Sequence, residues 1–263
     1  MTSVHLTAKY LISPQNPITV NLIGAGGTGS QVLTALARMN VAMLALGHPG
    51  LYVCVWDHDT VSRANMGRQL FAQCEVGQHK AVALINRTNR FFGTNWKAIA
   101  HKYEKANLWQ SPFAHGSANV TISCVDTVAA RFQIADTLKT LNVHEDHRDR
   151  PYYWMDFGNS LTSGQVMLST VGKHKQPDSK KFKTVAHLPF ITDEYADALR
   201  NTVETNEPSC SLAEALERQD LFINPTLAQM GCKLLWNLFR EGMTPNRGFF
   251  LNLADFRSMP LPV

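Results

Sequence analysis

Three strand-to-turn-to-helix units predict a mainly parallel, doubly wound, Rossmann-like α/β sheet with helices on both faces and a less regular carboxyl-terminal half. The first is the apolar run Ile18–Ile23, the turn Gly24-Ala25-Gly26-Gly27-Thr28-Gly29, and a helical pattern through Val32, Leu33, Leu36 and Met39. The second is Leu51–Trp56 (LYVCVW), a buried strand ending at Asp57-His58-Asp59, with a helical pattern over 78–92 further on. The third is Asn119–Val125, ending at Asp126, followed by a helix from Thr127 to about Leu141. In such sheets ligands sit beyond the carboxyl ends of the strands, where Gly26, Asp57 and Asp126 all fall.

The remaining elements follow in order. Residues 1–17 form a lead-in whose Pro14 and Pro17 stop any helix before the first strand. Gly47-His48-Pro49-Gly50 is a loop, and Trp96–His101 reads as a further strand. His144–Arg150 (HEDHRDR) carries two histidines; a metal site and a solvated connector compete there, and the lack of apolar anchoring favours the connector. Tyr152–Phe157 and Gly164–Thr170 read as strands on either side of Gly158-Asn159. Gly172–Lys183 holds five lysines and is expected to be an exposed loop. Glu194 to about Ser211 is polar, Pro225–Arg240 is a strong helix, and Phe249–Leu253 is expected to be the final strand. No internal repeat or linker splits the chain, so a single domain over 1–263 is expected. Its strand-helix core would span 18–142 and its second half 150–263, with a less regular segment near 172–222.

Composition narrows the function class. With 263 residues, 44% hydrophobic and 17% charged, the chain can bury a sizeable core. A net charge of +4 suits anionic ligands but falls short of a nucleic-acid footprint, so no nucleic-acid partner is expected. No apolar run of membrane-spanning length and no basic-then-apolar amino terminus occur, so neither a membrane span nor a signal peptide is expected. The five cysteines are odd in number and never form C-x-x-C; a reduced, cytoplasmic thiol set without structural zinc is the expectation.

The glycine turn has two readings. Glycine lets backbone approach a phosphate, and the following helix offers free N–H groups and its positive dipole end; a ligand-free tight turn needs the same residues. Asp57 is placed to accept ribose hydroxyls, or to serve as a turn or capping residue. Arg68 and Lys80 would supply a forked guanidinium and a point charge for a polyphosphate, with Asn65 and Gln69 orienting oxygens or a leaving group. Single residues of these types are common on surfaces; this order after a glycine turn is not.

At these residues the chain resembles the ThiF/MoeB family, relatives of the catalytic core of ubiquitin-activating enzymes. The resemblance rests on Gly24–Ser30, Asp57-x-Asp59, Val61-Ser62, Asn65-x-x-Arg68-Gln69, Gly77-x-x-Lys80, Cys124-Val125-Asp126 with Arg131, Gly158, and Gly164-Gln165-Val166. It is specific over about 18–170. Pro208-Ser209-Cys210-Ser211 and Gln219–Asn224 look most like the ThiF-like member of bacterial PRTRC systems, which occurs beside a small ubiquitin-like protein. The resemblance implies ATP-dependent adenylation of the carboxyl-terminal carboxylate of such a protein by a homodimer. It implies phosphate binding by Gly24, Gly26, Gly27 and Gly29 and ribose binding by Asp57. Arg68 and Lys80 would stabilise the phosphates with help from Asn65 and Gln69, and Asp126 would help hold Mg²⁺. A cap on the helix starting at Thr127 is the competing use of Asp126. Relatives often lend an arginine across the dimer from the amino terminus. Here the first arginine is Arg38, and only Lys9 precedes the turn, so that feature does not carry over.

Cys210 lies where relatives place a crossover loop and sometimes a thioester-forming cysteine. Glu204, Glu207 and Glu214 make its surroundings acidic, which opposes a thiolate, and a buried small residue is the competing reading. Cys54 and Cys124 are expected in the core. Two other functions stand against adenylation: a nucleotide-binding scaffold without turnover, and a nicotinamide-dependent oxidoreductase, in which Arg68, Gln69 and Lys80 would have no role.

Overall fold

The computed structural model describes residues 1–108, 116–141, 147–201, 216–217 and 219–263. At its centre is an eight-stranded sheet. Its strands are β2 (Ile18–Ile23), β3 (Leu51–Trp56), β4 (Lys97–Ile99), β5 (Val120–Ser123), β6 (Tyr153–Asn159), β7 (Ser163–Thr170), β10 (Asn246–Asn252) and β11 (Arg257–Pro262). They lie in the order β11-β10-β7-β6-β5-β2-β3-β4. From β6 to β4 every neighbour is parallel, and β7, β10 and β11 extend the sheet antiparallel. The chain leaves β2 toward β3 and later returns to β2's other side as β5, so the strand order reverses there and opens a crevice at the carboxyl ends.

Side chains alternate across the sheet, as a two-residue strand period requires. Val20 and Leu22 of β2, Val53 and Val55 of β3, and Met155 and Phe157 of β6 share one core with α2 (Gly27–Ala45), α3 (Lys80–Phe92) and α8 (Ile223–Glu241). Cys54 and Trp56 of β3 and Trp154 of β6 face the other core, with Ile134 and Leu138 of α5 (Val128–Thr140) and with Phe190 and Ile191. Helices thus cover both faces of the sheet. Among the described residues no helix is long and apolar enough to cross a membrane.

Four details differ from the sequence expectations. The lead-in contains strand β1 (Thr2–Leu6) and a short helix α1 (Lys9–Ile12) that ends before Pro14. The lysine-rich stretch ends in strand β8 (Phe182–Thr184), parallel to β1, and it buries His174. With β9 (Met243–Thr244), these strands make a second, three-stranded sheet. Phe249–Leu253 belongs to the penultimate strand, because the chain turns through residues 253–256 and pairs back as β11. Its Pro260 and Pro262 read as strand breakers in isolation but are tolerated on a sheet edge, where one face of N–H groups has no ladder to join.

Candidate functional site

The crevice beyond β2, β3 and β5 is a cavity of about 460 Å³ lined by Gly24, Gly26, Gly27, Asp57, Arg68, Gln69, Lys80 and Asp126, among others. The glycine turn forms its floor. Gly24 has φ +91°, and a Cβ there would lie 2.6 Å from the Cys124 carbonyl oxygen, so side chains are excluded at the point where β2 meets the end of β5. Gly29 packs behind the turn, where a Cβ would meet the Gly24 carbonyl at 1.9 Å. Gly26 is different: a Cβ there meets nothing within 4 Å, which leaves its backbone facing open space. α2 begins at Gly27, with Gly26 as N-cap and no side chain capping it, so its first N–H groups are available to an anion.

Asp57 closes one wall. Its carboxylate accepts the amides of Ala25 (2.6 Å) and Asp59 (2.8 Å), tying the end of β3 to the glycine turn. Burial raises its pKa, against the two backbone donors and the nearby Lys80. Lys80, first residue of α3 and buried, reaches Asp59 Oδ2 at 2.9 Å. Burial pushes Asp59 up, but the Lys80 hydrogen bond and charge outweigh it and hold the carboxyl below its usual range. The ligand atoms of Asp57, His58 and Asp59 lie within 4.8 Å of one another, but the ammonium of Lys80 disfavours a metal ion among them.

Arg68 is half-buried, and burial lowers its pKa. Its Nη1 donates to Gln219 Oε1 in a short hydrogen bond, while its buried Nε has no partner among the described residues. Gln69 is buried with Oε1 likewise unpartnered. Uncommitted polar atoms of this kind at a cavity wall suit a polar ligand. Asp126 is exposed at the mouth and makes no hydrogen bond or ion pair among the described residues. The cap of α5 is Thr127, whose hydroxyl accepts from the Ala130 amide at 3.3 Å; Asp126 is therefore not the capping residue.

A model of the ThiF family matches residues 16–255. The chain belongs to the ThiF family. It is 26% identical over 167 residues to ubiquitin-like modifier-activating enzyme 5 of Culex quinquefasciatus, covering 59% of this chain and 38% of that protein. To the same enzyme of Drosophila willistoni it is 30% identical over 127 residues, covering 44% and 29%. Among solved structures, PaaA superposes with TM-score 0.57 at 17% identity, covering 95% of this chain and 64% of that one. E. coli MccB with ATP superposes at 0.58 and 14%, covering 96% and 64%. The chain thus spans well under half the length of these curated relatives, and the solved structures establish a shared fold.

Within this ThiF-family chain most of the sequence-selected residues converge on the cavity, and two do not line it. Asn65 is turned into its own loop, where Oδ1 accepts the Ser62 amide at 2.8 Å; Gly29 lies behind the turn. Cys54 is in the core as expected, with burial pushing its thiol up to about 12. Cys124, just past β5, packs against the core and also lines the cavity, its thiol raised well above the usual range by burial. Cys210 lies outside the described residues.

Among the cavity residues that sequence reading did not assign to the site are Gln219 and Asn224. Asn224 is buried at the start of α8. Its Oδ1 accepts from Thr28 Oγ1 (2.8 Å) and Asn159 Nδ2 (3.2 Å), and its Nδ2 donates to Gln219 Oε1 (2.8 Å). Both lie in Gln219–Asn224, a stretch that carried part of the family resemblance without a site role being drawn from it. Asn159 also lines a larger neighbouring cavity of about 900 Å³, walled by Arg131, Gln165, Phe250, Phe256 and Met259 among others.

Proposed function

We propose that this chain adenylates a carboxylate, that of the carboxyl terminus of a small ubiquitin-like protein of the kind found beside PRTRC systems. One carboxylate oxygen attacks the α-phosphorus of ATP, the bond from that phosphorus to the bridging β-phosphate oxygen breaks, and pyrophosphate leaves with an acyl-adenylate formed. The observation that carries the reading is the meeting, in one cavity, of a helix amino terminus with no side-chain cap, two cations and a carboxylate, Asp126, with no partner among the described residues. A nicotinamide-dependent oxidoreductase would leave Arg68 and Lys80 without a task. The names of the relatives, enzymes that activate ubiquitin-like modifiers, and the MccB structure with ATP support the same reading.

A carboxylate is already nucleophilic, so the reaction needs alignment and charge neutralisation rather than a general base. In this reading the amides at Gly26 and Gly27 bind phosphate oxygens and Asp57 receives the ribose. Arg68 and Lys80 neutralise charge that builds on the phosphates as pyrophosphate departs, and Gln69 orients an oxygen. Asp126, exposed, is a hard oxygen donor suited to Mg²⁺, which would supply further charge neutralisation on the phosphates. The larger cavity, which shares Asn159 with the nucleotide cavity, has room for the acceptor's extended carboxyl-terminal segment. Assembly as a homodimer belongs to the same proposal.

Trapping tests it. With ATP, Mg²⁺, the ubiquitin-like protein and hydroxylamine, the acceptor should gain a carboxyl-terminal hydroxamate by mass spectrometry as AMP accumulates. An unmodified acceptor, in protein shown to bind ATP, would leave a nucleotide-binding scaffold in its place.

A further inference from the structure

We infer that Gln219 is a positioning residue that orients the Arg68 guanidinium toward the nucleotide, held in place in turn by Asn224. The inference rests on the reading of Arg68 as a phosphate ligand and adds what holds that arginine ready.

A guanidinium presents donors in a planar fork, and the Nε and Nη2 edge is the side-on pair that meets a phosphate or carboxylate bidentately. Gln219 occupies Nη1 and leaves that edge alone. Nε is buried with no partner, and Arg68 forms no further hydrogen bond among the described residues. An arginine side chain has many rotamers, and holding it by one bond to a rigid neighbour removes most of the ordering cost at the moment an anion arrives.

The neighbour is rigid because of Asn224. Gln219 Oε1 accepts from both Arg68 Nη1 and Asn224 Nδ2, and Asn224 is locked to Thr28 on the glycine helix and to Asn159 at the end of β6. Gly27 makes this possible: a Cβ there would sit 2.4 Å from Asn224 Nδ2. The chain Arg68, Gln219, Asn224, Thr28 therefore links the arginine to the same turn that would hold the phosphates, so both are positioned by one frame.

The holder's chemistry matters as much as its place. Glutamine is a neutral acceptor, so it orients the cation without neutralising it. A carboxylate there would form an ion pair with Arg68 and place a negative charge in the cavity that must receive phosphates. Gln219→Glu keeps the shape and changes only the charge; Gln219→Ala removes the hold.

The test measures ATP affinity by calorimetry, with thermal unfolding in parallel, for the wild type, Gln219→Ala, Gln219→Glu and Arg68→Ala. Gln219→Ala should weaken ATP binding about five- to ten-fold, and Gln219→Glu by more, on the order of a hundred-fold, as expected for charge-assisted contacts. Both should melt close to the wild type. If Arg68→Ala weakens binding while both Gln219 variants bind like the wild type, or Gln219→Glu binds better than Gln219→Ala, the positioning role is wrong and the Arg68 reading survives. If Arg68→Ala itself leaves ATP affinity unchanged, the reading of Arg68 falls and the inference falls with it. Gln219 variants that lose stability but keep affinity per folded molecule would show a purely structural contact.

Discussion

The carboxylate of Asp57 accepts the amide of Ala25 at 2.6 Å, joining the end of the second parallel strand to the glycine turn that follows the first. Its other oxygen accepts the Asp59 amide. Asp57 thus fixes the shape of the turn in addition to any contact with a ribose. Asparagine has one side-chain acceptor oxygen and would point an NH₂ group at one of these two donors. Asp57→Asn should therefore lower stability by about 1–3 kcal/mol, measured by urea unfolding, as well as weakening nucleotide binding. Weaker nucleotide binding without any loss of stability would remove Asp57 from this structural role.

The glycines of the turn should separate into two classes. Gly26→Ala places its methyl in open space, so it should fold normally and lose nucleotide affinity. Gly29→Ala drives a methyl into the Gly24 carbonyl and should lose about 1–3 kcal/mol or more of stability. Paired thermal melts and nucleotide titrations read both effects. Equal stability losses in the two variants would mean that the Gly26 side of the turn is not the ligand face.

Lys80→Ala and Asp126→Ala separate chemistry from folding in a second way. Each should cut acyl-adenylate formation by roughly a hundred-fold or more, the scale seen when a charge-stabilising group is removed. Asp126 is exposed and has no partner among the described residues, so its variant should hold stability within about 0.5 kcal/mol of the wild type. Turnover assays alongside denaturation check both; full activity in either variant removes that residue from the site.

The fold should be acid-labile through its small sheet. His5 is buried between Val185 and Tyr153, with Nδ1 near the Val185 carbonyl (2.7 Å) and Nε2 near the Tyr153 hydroxyl (2.8 Å). His174 packs against Tyr152, Tyr153 and His5, and burial, then the charges of His5 and Arg150, bring its pKa down to about 4. Burial likewise lowers His5. Below the ordinary value of 6.5 the unfolded chain binds protons on these imidazoles that the folded chain refuses. Stability is therefore retained above about pH 6.5 and lost as pH falls from there toward 4, at up to about 1.4 kcal/mol per pH unit for each group. Urea midpoints from pH 7.5 to 4.5 should show this slope, and His174→Phe should flatten it. A slope unchanged by that substitution would assign the lability elsewhere.

How far the molecule was legible follows from where its information lies. β2 and β3 were readable to the residue because each is a largely apolar, almost wholly buried run, bounded by Pro17, Gly24 and Gly50. β11 was not, because an exposed edge strand needs neither apolar alternation nor a free N–H at every position, and a stretch holding Pro260 and Pro262 carries no strand signal of its own. β1 pairs with β8 across 180 residues and with β9 further on, and none of them announces its partner. The site divides the same way. Gly26, Asp57, Arg68, Lys80 and Asp126 lie in local motifs whose chemistry is visible in their order. Gln219 and Asn224 are neutral amides whose meaning comes only from the side chains they meet, more than 150 residues from Arg68. Asn65 shows the converse: a residue of promising type and position whose side chain is used within its own turn.

The most direct test of the account is isotope exchange of labelled pyrophosphate into ATP, run with Mg²⁺ and the neighbouring ubiquitin-like protein. Reversible acyl-adenylate formation predicts exchange that requires the acceptor, stops when its carboxyl-terminal residue is removed, and disappears in Lys80→Ala. Exchange at the same rate without the acceptor, or none at all in protein that binds ATP, would contradict it.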